Sequence, residues 1–323
     1  MKKEVFQGPR LHSVPAHALR QLVYKLLRRW AQEHQQELAF DPVVPAYDLM
    51  ARRMLIWGFY EREYLDTLMH FLAFARDRMQ SGICIDAGAN IGNHSLYFSR
   101  HFSKVIAFEP NPEVLEILRI NARKAGNVEV VPKGLGREPG SGVMDAPRGN
   151  LGAGRVVAAH AEHAGRASNA QDPASAAATA SPVEIIRLDD FLATRKAEAD
   201  RVVLLKMDTE GFERSILEGS TQLLRKSKPV VIFEVHAEAL QDPARSPIPV
   251  LEELGYQFHI WQRPFRLGQS KPAKLLSKLI QLFAGRRLLL VPVSATDIPV
   301  RNHRFIVAMH PDMSSQDQQL QCC

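Results

Sequence analysis

A chain of 323 residues with 46% hydrophobic side chains carries enough apolar material for one large folded domain with additions, which excludes a disordered or fibrous protein. The net charge of +6 is unevenly placed: residues 83–236 hold 19 Lys plus Arg and 19 Asp plus Glu, so the surplus lies wholly in the flanks and the centre does not read as a nucleic-acid groove. Three cysteines, Cys84 in an apolar run and Cys322 and Cys323 at the end, cannot build a disulfide framework, which favours a reducing compartment with cytoplasm as the default.

The N-terminus is basic but lacks the apolar stretch of about 7–15 residues that marks a secretory leader. From His17 to His34 the spacing predicts an amphipathic basic helix, with Leu19, Leu22, Val23, Leu26 and Trp30 on one stripe. Its favoured place is against its own domain, and the alternative is weak contact with an anionic membrane surface. A second helical stretch, Asp48 to Arg78, carries Trp57, Phe59, Tyr60 and Tyr64 and completes a helical extension over residues 1–78.

From Ile83 short apolar runs alternate with helical ones, the pattern of βαβ units and a parallel sheet. Strands are expected at Ile83–Asp86, Val105–Glu109, Val128–Val131, Val202–Met207 and Val230–Val235, with helices near 92–101, 112–125, 212–226 and 248–254. Tyr256–Trp261 and Phe305–Ala308 would close the sheet as a final hairpin, giving a doubly wound, Rossmann-like α/β sheet of seven strands with the core at 79–261. Residues 153–180, with 12 alanines in 28, read as a flexible insertion, and 264–300 as a lid-like insertion with a basic amphipathic helix. Leu288 to Val293 is the longest apolar run near the C-terminus, far short of the roughly 20 residues a spanning helix needs.

The chemistry concentrates at three strand ends. Ile83-Cys84-Ile85-Asp86-Ala87-Gly88-Ala89-Asn90-Ile91-Gly92 runs a buried strand into a small-residue turn and a helix, so Gly88 and Gly92 are expected to let the backbone approach a ligand. Asp86 puts a carboxylate there, which suits a cationic group better than a pyrophosphate, and the loop lacks G-x-G-x-x-G. Glu109 follows Gly88 by 21 residues, the offset at which an acid accepts hydrogen bonds from ribose hydroxyls. The third end, Lys206-Met207-Asp208-Thr209-Glu210-Gly211-Phe212-Glu213, brings Asp208 and Glu210, and Glu234 and His236 close the next strand. Acids gathered at one mouth repel one another and persist where a ligand, cation or hydrogen-bond network compensates them. Glu213 fits a first-turn helix acid favoured by the dipole. Asp208, Glu234 and His236 could alternatively gather a divalent cation, although no spacing demands it.

These segments together, IDAGANIGNHS, AFEPNP, LDDF, LLKMDTEGFE with ILEG, and IFEVH, preceded by Ile56-Trp57-Gly58-Phe59-Tyr60-Glu61, resemble the FkbM family of methyltransferases over about residues 55–236. The resemblance implies S-adenosylmethionine as cofactor and O-methylation of a hydroxyl on a sugar, glycan, lipid-linked or secondary-metabolite acceptor. Carried over by position, it implies that Asp86, Gly88, Asn90 and Gly92 line the methionine end of the cofactor. Glu109 would hold the ribose, Gly134 and Leu135 would lie near the adenine, and Asp208, Glu210 and His236 would face the transferring methyl. No resident metal is implied. The competing readings are an NAD(P)-binding oxidoreductase of the same fold and a non-catalytic, membrane-associated binding module. The two insertions depart from the family pattern and leave the acceptor open.

Overall fold

The computed structural model describes residues 58–145, 155–158, 181–262 and 288–313, with positions 22–23, 25–27, 29, 43–44, 50 and 53–54 before them. The chain enters through helices α1 (Arg62–Phe71) and α2 (Arg76–Ser81). It then runs β1 (Ile83–Ala87), α3 (Asn93–Phe98), β2 (Lys104–Phe108), α4 (Pro112–Ala125), β3 (Val128–Val131), β4 (Gly134–Leu135), β5 (Gly140–Asp145), β6 (Arg155–Ala158) and β7 (Ser181–Ile186). After helices α5 (Leu188–Ala193) and α6 (Lys196–Ala199) come β8 (Val202–Met207), α7 (Glu213–Glu218), α8 (Thr221–Lys226) and β9 (Val230–Val235). Helices α9 (Ala237–Gln241) and α10 (Ile248–Glu253) lead into β10 (Gln257–Gln262), β11 (Leu289–Val293) and β12 (His303–Met309).

The main sheet has the order β11-β10-β12-β9-β8-β1-β2-β3. Its β3-β2-β1-β8-β9 portion is parallel, while β12, β10 and β11 pair antiparallel. Strands β1 and β8 are buried along their whole length, as central strands of a parallel sheet covered on both faces are, and each is apolar but for one charged residue, Asp86 and Lys206. Side chains alternate between the two faces: Ile83, Ile85 and Ala87 enter one core with Leu205, Met207 and Phe233, and Cys84 enters the other with Leu204, Ile232 and Phe98. Helix α4 shows how local sequence sets a boundary. Asn111 caps it by accepting from the Glu113 amide at 2.9 Å, Pro112 occupies the first turn, and Gly126 closes it at φ 83°.

The doubly wound α/β sheet is as expected, but it has eight strands rather than seven. The eighth is β11, cut from the run assigned above to a lid-like insertion. Its Pro292 is tolerated because β11 is an edge strand. A second sheet, β4-β7-β5-β6, was not foreseen, since its short, glycine-containing strands carry little alternation. Part of it, β6, falls inside the expected Ala-rich insertion; residues 159–180 and 263–287 lie outside the described residues, as does the terminal Cys322-Cys323 pair. The helix expected over Asp48–Arg78 is broken at 58–61, where Gly58 and Glu61 take φ 79° and 62°. Leu188–Phe191 is helical, and the helix expected over 212–226 is two. Leu22, Val23, Leu26 and Leu27 of the expected N-terminal helix are exposed, and Leu19 and Trp30 of its stripe lie outside the described residues. No helix among the described residues is long and apolar enough to cross a membrane.

Two buried asparagines bind the N-terminal segment to the sheet. Asn93 accepts from the Tyr60 amide at 2.8 Å and donates to the Tyr60 carbonyl at 3.1 Å. Asn121 treats Val43 the same way, at 2.7 and 3.0 Å, and also donates to the Ile91 carbonyl at 2.8 Å. Each side-chain amide pairs with a backbone N–H and C=O of the segment as a neighbouring strand would. Replacing Asn121 by Ala strands the half-buried Val43 groups and the buried Ile91 carbonyl and is expected to lower the unfolding free energy by roughly 1–3 kcal/mol, read as a lower denaturant midpoint at constant slope.

Candidate active site

The parallel strands change direction of progression between β1 and β8, and the crevice beyond their carboxyl ends is where such sheets receive ligands. Three predicted segments meet there. The turn after β1 is stitched to the end of β2: Gly88 and Ala89 donate to the Phe108 carbonyl at 3.0 and 3.1 Å. Glu109 then accepts from two backbone amides, Asn90 at 2.8 Å through Oε2 and Asn111 at 2.8 Å through Oε1. Asn90 adopts φ 52°, a left-handed conformation that Asn tolerates, and its side chain accepts from the next amide at 2.7 Å. Glu109 is thus held rigidly with lone pairs to spare on both oxygens. Burial nevertheless raises its carboxyl to about 7 against those two amide bonds.

The glycines have a nearer cause than the one expected. A Cβ on Gly88 would lie 1.9 Å from the Asp208 carbonyl oxygen, and one on Gly92 would lie 3.0 Å from Leu118, with φ at 73° and 96°. The chain's own packing therefore demands these residues, whatever else the turn accommodates. Asp86 is also differently employed. It is fully buried, with Oδ1 2.8 Å from Lys206 Nζ and Oδ2 accepting from Ser95 at 2.6 Å, so the cation it faces is internal. Asp86 and Lys206 are register partners across β1 and β8, and Lys206 also donates to the Gly88 carbonyl at 3.0 Å. The lysine and the Ser95 hydroxyl hold the Asp86 carboxyl below its usual range despite burial.

Beyond this floor, Asp208 stands half-buried at the end of β8 with a hydrogen bond to Glu234 at the end of β9. Burial first, and the Asp208 charge second, push the Glu234 carboxyl up to about 8. Glu210 and His236 do not join them; they are both partly exposed and face each other at 3.4 Å. Among the described residues, no group of three or more His, Cys, Asp and Glu is disposed to hold a metal ion, so Asp208, Glu234 and His236 do not gather as one set. Glu213 is not merely a dipole partner: buried, it closes its own turn by accepting from the Thr209 amide and hydroxyl at 2.9 and 3.0 Å.

Gly134 has room for a side chain and lies beside Pro110, next to Glu109, whereas the Leu135 side chain is sealed in the core and offers the crevice only backbone. Sequence reasoning missed Lys206, His94, Glu61 and Arg304. Glu61 is buried, with Oε1 2.8 Å from Arg304 Nε in an ion pair and Oε2 3.4 Å from Nε2 of buried His94. Arg304 NH1 lies 3.9 Å from Glu234. A signal for Lys206 was present, because a lysine inside a fully apolar strand requires a buried acid.

The family model described as the methyltransferase FkbM domain matches residues 86–258. Methyltransferase 1 of Beauveria bassiana is 30% identical over 142 residues, covering 42% of this chain and 57% of its own length. Hexuronic acid methyltransferase AglP of Haloferax volcanii is 30% identical over 152 residues, covering 47% of this chain and 55% of its own length. The chain thus spans little more than half the length of these curated relatives. The crystal structure of methyltransferase FkbM from Methylobacillus flagellatus superposes with a TM-score of 0.36 at 17% identity, covering 74% of this chain and 56% of that one, too loosely to add to the family match. Since the matched span, with its glycine turn, Glu109 and Asp208, is more than half of the chain, the chain belongs to the FkbM methyltransferase family.

Proposed function

We propose that the protein transfers a methyl group from S-adenosylmethionine to a hydroxyl of a sugar, glycan or related small-molecule acceptor. The observation that carries this proposal is Glu109, oriented by two backbone amides beside the glycine turn at the switch point, as an acceptor for two ribose hydroxyls requires. The donor set suits a nucleoside with a positive sulfur. Asp86 is compensated by Lys206, while the carboxyl groups of Asp208 and Glu210 stand at the mouth. On this reading Glu109 holds the ribose, the Gly134–Leu135 backbone borders the adenine, and the 88–92 turn, braced from beneath by Asp86 and Lys206, receives the methionine end. The bound group supplies an activated methyl for in-line displacement.

The chain's own residues then align the acceptor and remove its proton. Asp208 is the base we assign, because it stands at the strand end beside Glu234, whose raised carboxyl keeps its own proton near neutrality and leaves proton uptake to Asp208. His236 and Glu210, at the outer rim, are placed to border the acceptor rather than the transferred proton. The hexuronic acid named for the Haloferax volcanii relative supports a sugar acceptor.

Isothermal titration of the full chain is expected to show S-adenosylmethionine binding and no nicotinamide cofactor binding; the reverse result sinks the proposal. Glu109→Gln is expected to weaken the nucleoside by about 10- to 100-fold, the worth of hydrogen bonds to a charged acceptor. The pH dependence has a definite sign. A carboxyl raised to about 7 is neutral below that pH and ionised above it, so affinity should rise as pH climbs to about 7 and then level off. In Glu109→Gln that rise should vanish; an unchanged pH profile in the variant would assign the titration elsewhere.

A further inference from the structure

Tyr60 stands half-buried at the rim, its backbone fixed by Asn93. Its ring is flanked by two guanidinium groups, with Arg53 Cζ 5.7 Å and Arg304 Cζ 5.8 Å from the ring centroid. Arg304 is anchored rather than free. Its Nε meets Glu61, whose side chain is only 4% exposed, yet the Arg304 side chain itself is 46% exposed and keeps donors turned to solvent. Arg53 is exposed and makes no ion pair with any described residue. Glu61, the anchor, takes φ 62°, a conformation that costs a non-glycine residue energy and recurs where a site needs it.

Arg304 is shared among acids, paired with Glu61 and close to Glu234 and Asp208, whereas Arg53 has no carboxylate partner among the described residues and brings an unpaired positive charge to the ring. A guanidinium held over an aromatic face keeps N–H donors at its edge, and such forks match carboxylate and phosphate oxygens in pairs. Arg304 also borders Glu234 at 3.9 Å, so an anion held there lies beside the acids assigned to proton removal.

We propose that Arg53, Tyr60 and Arg304 form a subsite for an anionic group on the methyl acceptor, a carboxylate or a phosphate, so that the acceptor is a hydroxylated acid rather than a neutral alcohol. The role of that anion rests on the methyl-transfer reading above, but its binding does not. Both arginines lie outside the family-matched span, and the subsite is therefore supplied by the flanks of this chain.

The test uses the full chain and three probes, glucuronate, glucose 6-phosphate and glucose, followed by saturation-transfer NMR without cofactor. At least one of the two anions is expected to bind at least tenfold more tightly than glucose and to weaken with added salt, and the tighter one names the acid group. Arg53→Gln, an exposed change that leaves the Glu61 pair intact, is expected to weaken that anion at least tenfold without altering S-adenosylmethionine binding. Arg304→Lys, which keeps the charge and loses the fork, should weaken it as well. Glucose binding as well as the anions, failure of both anions at millimolar concentration, or unchanged anion binding in Arg53→Gln overturns the subsite. Absent S-adenosylmethionine binding in the parent protein, measured separately, overturns the methyl-transfer reading and leaves the anion result standing.

Discussion

Lys206 and Asp86 are both removed from water at the point where the sheet changes direction, and much of the crevice follows from their pairing. Taking two such charges into the interior costs several kcal/mol each, recovered only when geometry and additional hydrogen bonds are good. Here the two residues are register partners on neighbouring parallel strands, so their side chains emerge together on one face. Ser95 satisfies the other carboxylate oxygen, and the lysine reaches on to the Gly88 carbonyl. The pair thereby ties the turn after β1 to the end of β8. That closeness leaves no space for a Cβ at position 88 and sets Asp208 at the rim beside the turn. A glycine that looks like a concession to a ligand is first a consequence of two strand ends drawn together.

How much of this could be read beforehand depends on the range of the interaction. The glycine turn, Glu109 and Asp208 each follow an apolar run, and strand–turn–helix order places them at one end of one sheet without further information. The capped start and glycine stop of α4 were equally local. The β11 strand was visible as an apolar run but lacked a partner in the sequence, and its proline argued against a central strand; only the pairing with β10 shows that an edge was the answer. Glu61 and Arg304 were unreadable for a different reason. They are separated by almost the whole domain in sequence, and neither sits in a periodic pattern that would single it out. A buried charge announces that it needs a partner, as Lys206 did, but not where along the chain the partner lies.

The flanks are therefore part of the site's construction and not an addition to it. Asn93 and Asn121 grip Tyr60 and Val43 through main-chain groups, which imposes position without constraining the side chains of the segment they hold. The strain at Glu61 is carried where that segment turns into α1, and the burial of its carboxylate against Arg304 and His94 offsets it. The N-terminal segment and the last strand are thereby locked to each other across the mouth of the sheet.

This arrangement separates two tasks physically. The groups assigned to the nucleoside, Glu109 and the 88–92 turn, belong to the matched family span and depend on backbone geometry, which tolerates little change. The groups assigned to the acceptor, Arg53, Tyr60 and Arg304, project from the flanks as side chains, and each can be exchanged without moving a strand. Between them stand Asp208 and Glu234, two neighbouring acids, with burial and the Asp208 charge raising the Glu234 carboxyl. On the proposed reading, Asp208 takes the proton of the acceptor hydroxyl, and the negative charge it carried is neutralised in the same step. On that same reading, rearranging the flanks would alter which acceptor group is presented, while the groups at the strand ends stay the same.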